Sequence, residues 1–410
     1  MKRNFLFDNM VVLLFVAITG IGIWFSGLSL GFVVMDLVTR IARNGLMVVA
    51  LLIPVTAGMG LNFAVILGAM AAQIAIIAVI HWQIAGISGI LLATLLSTPL
   101  AILFGIFIGR LLNKTRGQEM ITSMIAGFFA DGLYMLLLMV IVGTLIPLRN
   151  PQIMLPHGIG ILNTVDLAIL RGAVDDLYRL SFPHFMVLVA VIFLSIGAWF
   201  QYSTRGSRQP SAKKALPFFL IAGAAAISFV LTRSPDSSFV IVSVPVVTFA
   251  IIGLACAFLG FIATTKLGQD FRTVGQDQHV AKISGIDVDK TRIIAITIST
   301  VMAAWGQILL LSNLGNLSTY GSHISVGVFA IAALLIGGAT VTKATVGQAL
   351  TGLVLFHTLF LVSPMAGRNL LGDAQLGEFF RVFIAYGVIA VSLAMYAWKR
   401  AYAGKRQLRS

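Results

Sequence analysis

Apolar runs recur from one end of the chain to the other, and polar residues are confined to the short stretches between them. Twelve runs stand out, at 10–24, 46–57, 61–80, 87–107, 120–146, 184–200, 217–231, 244–264, 293–311, 326–336, 346–362 and 379–398. Crossing a hydrocarbon layer of about 30 Å takes about 17–25 apolar helical residues, and most of the runs meet that length. In lipid each backbone amide must find its partner within its own segment, so the runs are predicted to be helices. Residues 32–42 are not uniformly apolar. Phe32, Val33, Leu37 and Ile41 oppose Asp36, Arg40 and Arg43, which predicts an amphipathic helix lying at the interface. The second and third runs are separated only by Gly58-Met59-Gly60, and the second contains Pro54. Two readings fit: a broken helix that exposes backbone groups near the membrane centre, or a tight helical hairpin. The expected fold is therefore an all-α polytopic membrane protein with ten to twelve spans, a broken helix among them. It is read as one permease-like domain over 1–410, with two extra spans inserted at 184–240.

Composition agrees with that pattern. The 410 residues are 59% hydrophobic and 10% charged, too few charges to cover a soluble surface, which is roughly a quarter charged. The single cysteine, Cys256, lies inside an apolar run, so neither a disulfide nor a thiolate metal cluster is expected. The net charge of +14 suggests nucleic acid at first sight. Its distribution points to topology instead, because the basic residues cluster in short loops. Of the 28 Lys and Arg, 20 fall on the side that would hold both termini and 8 on the other. By the positive-inside rule both ends are expected to be cytoplasmic. The start, Met1-Lys2-Arg3 before an apolar run, resembles a signal peptide but lacks a clear cleavage site, so an uncleaved first helix is expected. The loop 147–183 sets Arg149, Arg171 and Arg179 against Asp166, Asp175 and Asp176, a balance suited to the outer face.

Enzymatic chemistry finds no support in the motifs. There is no phosphate-binding Gly-x-x-x-x-Gly-Lys-Ser/Thr loop and no nucleophile elbow, and no two histidines sit at ligand spacing. No cofactor is expected on this chain.

One polar stretch carries more information. Within 265–292, the segment Gln276, Asp277, Gln278, His279, Val280, Ala281, Lys282, Ile283, Ser284, Gly285, Ile286 and Asp287 reads as a short amphipathic helix. Asp277 lies near its start, Gly285 at its end, and Val280, Ile283 and Ile286 form an apolar stripe. An exposed stripe of this kind docks into a groove on another protein or lies on the membrane. This segment, with Ala281, Ser284-Gly285-Ile286 and Lys290, resembles the coupling loop of permeases of the ribose, branched-chain amino-acid and nucleoside ABC importer superfamily. Gly58-Met59-Gly60-Leu61-Asn62 and Gly337-Gly338-Ala339-Thr340 with Gly347 are similar to two further motifs of that superfamily, in the same order. The resemblance implies a homo- or heterodimer of permeases and two ABC ATPase subunits docked on the coupling helices, with ATP bound there. It also implies an extracytoplasmic substrate-binding protein that delivers a small polar solute, sugar or nucleoside first and branched-chain amino acid second.

Few charges lie in the runs, so a neutral ligand would be held by Asn62, Gln73, Gln307, Asn313 or Gln348, each equally able to make an interhelical hydrogen bond. Asp131 is the one acid deep in a run, readable as a structural acid, a gate or ligand group, or a proton-coupling group. Proton coupling would suit the alternative to an ABC importer, a secondary transporter driven by an ion gradient. The small residues Gly68, Ala69, Ala72, Gly253 and Gly260 suit either sliding or static helix packing.

Overall fold

The computed structural model describes residues 9–148, 150–203, 211–234 and 236–407. The basic residues expected at Lys2, Arg3, Arg149, Arg205, Arg208 and Arg409 lie outside them. Among the described residues nine helices are long and apolar enough to cross a membrane, and three shorter apolar helices, Met10–Ser26, Val65–His81 and Ser322–Ile336, accompany them. Each of the twelve corresponds to one predicted run. The chain is a multi-pass, all-α membrane protein with four three-residue strands.

The helices in order are α1 (Met10–Ser26), α2 (Leu30–Ala50), α3 (Leu52–Thr56), α4 (Val65–His81), α5 (Gly86–Lys114) and α6 (Glu119–Leu136). After the strands β1 (Thr164–Asp166) and β2 (Arg179–Ser181) come α7 (Phe182–Ser203), α8 (Ser211–Thr232), β3 (Ser243–Pro245) and α9 (Val246–Thr264). Then follow α10 (Lys266–Gln276), α11 (Gln278–Ile283), α12 (Val288–Leu314), β4 (Asn316–Ser318), α13 (Ser322–Ile336), α14 (Val346–Leu371) and α15 (Ala374–Gln407).

The predicted interfacial helix at 32–42 is not separate. It is the first half of α2, and α2 and α3 together make one apolar stretch, Leu30–Thr56, mostly buried within the protein. On its polar face the Arg40 guanidinium lies 5.5 Å from the centre of the Phe360 ring, a favourable cation–π approach. The break that Pro54 suggested is at Leu51, between α2 and α3. A proline at 54 offers no N–H to the carbonyl of Ala50, so the helix cannot continue through it unchanged.

At 57–64 the chain then reverses. Met47 faces Gly306 of α12, and Thr56 and Gly58 abut Gly275, next to the cluster that holds the first turn of α12. Gly68 faces Thr300 and Ala303, and Gln73 reaches the level of Gln307. The chain thus descends along α12 in α2–α3 and climbs again in α4. The two sequence readings, broken helix and hairpin, both describe part of this segment.

The chain divides into two compact units. The first comprises Met1–Leu28, Arg40–Val174 and Thr248–Ser410, and the second Ser29–Thr39 and Asp175–Val247. The predicted insertion, 184–240, lies within the second. In that unit β2 pairs antiparallel with β3, and α7 and α8 form a hairpin whose Phe200 and Phe218 rings stack 5.2 Å apart. Both helices expose many large apolar residues, among them Val191, Leu194, Leu220 and Ile227, as helices facing hydrocarbon do.

The core of the first unit is α4, α12 and α13, most residues of which are buried. Lipid gives packed helices no hydrophobic advantage, so close approach must supply the attraction. A Cβ at Gly68 would lie 3.0 Å from Ala303 and nearer still to the Thr300 carbonyl, so glycine lets α4 and α12 touch there. Gly253 and Gly260, offered as a second small-residue contact, have nothing within 4 Å of an added Cβ. At the end of α12 remote from α10–α11, β1 pairs with β4, and Tyr320 and Thr319 donate to the carbonyls of Ile161 and Leu162. Burial raises the Tyr320 hydroxyl above its ordinary pKa.

Candidate functional sites

Of the six residues proposed for a solute path, three meet. Gln73 projects from the middle of α4. Its Nε2 donates to Ser322 Oγ at 2.6 Å, and its Oε1 accepts from Tyr134 at 2.6 Å. Gln307 of α12 donates to the same Ser322 oxygen at 3.2 Å. One turn before Tyr134, Asp131 bonds His323 Nε2 at 2.7 Å, and the Tyr134 and His323 rings meet edge-on with centroids 4.9 Å apart. Four helices, α4, α6, α12 and α13, are thus joined by Gln73, Asp131, Tyr134, Gln307, Ser322 and His323.

Gln73, Gln307 and His323 are fully buried, and Gln307 Oε1 and His323 Nδ1 have no partner within the described residues. Buried polar atoms without partners are held by water or a ligand group. All but the Asp131–His323 pair are uncharged amides and hydroxyls, donors and acceptors suited to hydroxyl-rich or amide-bearing solutes.

The other three path candidates lie elsewhere. Asn62 is in the reversing loop, where its Oδ1 accepts from Ala64 N at 3.1 Å and its Nδ2 is buried without a partner. Gln348 closes the turn before α14 by donating to the Gly338 carbonyl at 2.8 Å. Asn313 stands near the end of α12, next to Ser312, whose hydroxyl donates to Leu170. Three members of the cluster were missed: Tyr134, Ser322 and His323. The apolar run predicted at 326–336 begins a turn too late, which left Ser322 and His323 in a loop. Tyr134 lay in plain view, three residues after Asp131, the spacing that places two side chains on one face of a helix.

The predicted coupling segment folds as two helices. The hydroxyl of Thr265 caps α10 through Gly268 N. Asp277 then caps α11, accepting from His279 N at 2.8 Å and Val280 N at 3.1 Å, and these two bonds hold its carboxyl below the usual carboxylate range. Gly285, at φ +79°, ends the turn, and Asp287 caps α12 by accepting from Lys290 N at 3.0 Å. Only two members of the predicted stripe point outward. Val280 and Ile283 are 51% and 74% exposed, whereas Ile286 packs on the cluster of Val274, Ala281 and Val288. The reason is the turn itself: Gly285 rotates the chain so that the helical spacing stops before Ile286. Gln276, Asp277, His279, Lys282, Ser284 and Asp287 are all exposed around this pair.

Gly275 and Gly58 set α10 directly against the reversing loop. A Cβ on Gly58 would lie 2.7 Å from Gly275 Cα, and Gly58 already holds a φ of +74°. Beside this contact a cleft of about 810 Å³ opens, lined by Leu52, Thr56, Phe271, Arg272, Gln276 and Lys343 among others.

A chain with this helix order, a segment capped at both ends that displays two apolar residues, and a glycine-rich return at 337–347 matches a known family model. The model describes the branched-chain amino acid transport system permease component, and the match runs over residues 33–389. The chain belongs to this permease family. It is a pore-forming component of an ABC transporter, and the family implies association with ATPase and substrate-binding components. No curated protein and no solved structure was found to match it.

Proposed function

We propose that this permease is the membrane subunit of an ATP-driven importer for a small, uncharged or zwitterionic polar solute, sugar or nucleoside first and branched-chain amino acid second. The observation that carries the reading is the cluster around Gln73. Uncharged donors and acceptors from four helices converge there in the core, and Gln307 Oε1 and His323 Nδ1 have no partner among the described residues. Val280 and Ile283 supply the apolar contact for an ATPase subunit that binds and hydrolyses ATP, so the chain itself performs no catalysis. In this reading α10–α11 and both termini face the cytoplasm of a prokaryotic cell. A second permease, identical or not, completes the path, and an extracytoplasmic binding protein delivers the solute. ATP-driven closure of the ATPases would shift the packed helices between outward- and inward-open states.

One observation favours a second reading. Asp131 and His323 form a titratable pair within the spans, as an ion-coupled transporter would require. The test separates the two. The permease is reconstituted in proteoliposomes with candidate ATPase and binding-protein subunits, and uptake of labelled ribose, adenosine and leucine is followed. ATP-dependent uptake of one of them is expected, with none driven by a pH gradient alone. Gradient-driven uptake without ATP would replace the importer reading with the secondary transporter.

A further inference from the structure

The cytoplasmic-type loop between α5 and α6 is fastened to the first turns of α12 by three polar contacts. Asn113 Nδ2 donates to the Asp289 carbonyl at 2.9 Å, Arg116 pairs with the Asp289 carboxylate, and Arg292 pairs with Glu119 at 2.7 Å. The third contact differs from the others. The Arg292 side chain is wholly buried and that of Glu119 nearly so, and Arg292 also donates to the Leu112 carbonyl at 3.4 Å. Arg116 and Asp289 are about half exposed, where a pair is screened and weak. Asp287, which caps α12, is the last residue of the segment that displays Val280 and Ile283, so Arg292 stands a turn and a half beyond the docking face.

From Glu119 the same helix runs without interruption to Asp131, about 18 Å at the rise of an α-helix. There its carboxylate bonds His323, and one turn further Tyr134 bonds Gln73. α6 exposes Ile121, Ile125, Phe128, Phe129 and Leu133 along its length. Three polar contacts hold it: the buried ion pair beside the docking segment, Ser123 Oγ one turn on, which accepts from Phe63 N of the reversing loop at 3.2 Å, and the polar cluster.

We propose that α6 is a strut, with Arg292 and Glu119 as positioning residues that make it move with α11, so that displacement of the docking segment is delivered to the Asp131–His323 bond. The proposal gives a transmission role within the importer reading, which supplies the force, but its test needs neither ATPase nor solute.

The test uses the full chain in lipid nanodiscs, in a Cys256→Ser background, with spin labels on pairs of introduced cysteines. One pair joins Ile283 to Leu136 at the far end of α6, and the other joins Ile283 to Leu370 at the end of α14, all three positions being exposed. The expected result is a single narrow distance distribution for 283–136 and a broader one for 283–370. Equal widths in the parent would overturn the strut, and this comparison requires no variant of the ion pair. The second arm is the double variant Arg292→Met/Glu119→Leu. Replacing a buried pair by apolar residues of similar volume restores the fold that removing one partner damages. Thermal stability should return to the parental level while the 283–136 distribution loses its narrow form. If both recover together, the pair is only structural and the proposal fails. Absence of solute uptake in proteoliposomes would count against the importer reading and leave this result untouched.

Discussion

The two ends of α6 are held by different chemistry, and the contrast separates specificity from transmission. At the Glu119 end the contacts are ionic and directional, with Arg292 buried against one carboxylate near the start of α12, which Asp287 caps. At the Asp131 end the contacts are mostly neutral and shared, with Ser322 accepting from both Gln73 and Gln307. A buried ion pair tolerates little misplacement, because separating its members leaves an uncompensated charge. Amide and hydroxyl groups can exchange one partner for another, including a solute, at small cost. The first kind of contact suits a joint that must stay closed. The second suits a site that must open and close.

The largest expected effect breaks the ionic end. Glu119→Ala leaves Arg292 buried without its carboxylate, which costs about 3–5 kcal/mol by analogy with other buried pairs. The thermal midpoint in detergent should fall sharply, and the yield of folded protein with it. A change within scan error would mean that water already solvates Arg292, and the contrast between the two ends would vanish.

Next is the surface on which both ends depend. Gly68→Val forces α4 away from the Thr300 carbonyl, and overpacking of this kind costs about 1–3 kcal/mol. Because α4 carries Gln73, solute uptake should fall further than stability. The same substitution at Gly253, which has nothing within 4 Å of an added Cβ, should leave both unchanged and serves as the control.

At the neutral end the effect is smaller. Gln73→Leu removes the acceptor for Tyr134 and one of two donors to Ser322. Hydrogen bonds between membrane helices are worth about 0.6 kcal/mol on average and up to about 1.7, so a loss of about 1–2 kcal/mol is expected, measured by the same thermal scan. A loss as large as that of Glu119→Ala would show that the cluster is a structural joint and not a site.

Much of this was legible in the sequence, for reasons that also mark its limits. Hydropathy located all twelve apolar helices, because each must satisfy its own backbone in lipid. It could not tell α4, mostly buried, from α7, which exposes many apolar residues, since lipid and protein interior are equally apolar. Residues 32–42, whose Asp36, Arg40 and Arg43 suggest a helix of their own, are instead continuous with the rest of α2, with Phe360 beside Arg40. Polar residues inside the runs identified Gln73, Asp131 and Gln307 one at a time. Their meeting depends on how α4, α6, α12 and α13 pack, which no periodicity records. Asn62 and Gln348 looked equivalent to them by residue type and turned out to satisfy the backbone of turns.

The smallest expected effects lie on the docking segment, where the chain has deliberately little at stake until a partner arrives. Ile283→Asp alters a residue that is 74% exposed, so the stability of the chain alone should change by less than about 0.5 kcal/mol, while ATP-dependent uptake is lost with the apolar contact to the ATPase. Its neighbour Asp277 gives a pH signature for the same surface. Bonds from Val280 N and His279 N hold its carboxyl below the ordinary carboxylate value, so the ionised form is favoured in the folded helix. A depressed carboxylate contributes stability that is present above its unfolded pKa, about 3.9, and is lost as pH falls through the lower folded value. The cap of α11 is thus complete at neutral pH and weakens only in acid. Hydrogen exchange at the Val280 and Ala281 amides should therefore be level from pH 7 down to about 4, once corrected for intrinsic rates, and protection should drop below that. Asp277→Asn keeps an acceptor oxygen without a titrating proton, so its protection should stay level through the acid range. An identical acid drop in the Asn variant would place the transition outside the Asp277 cap.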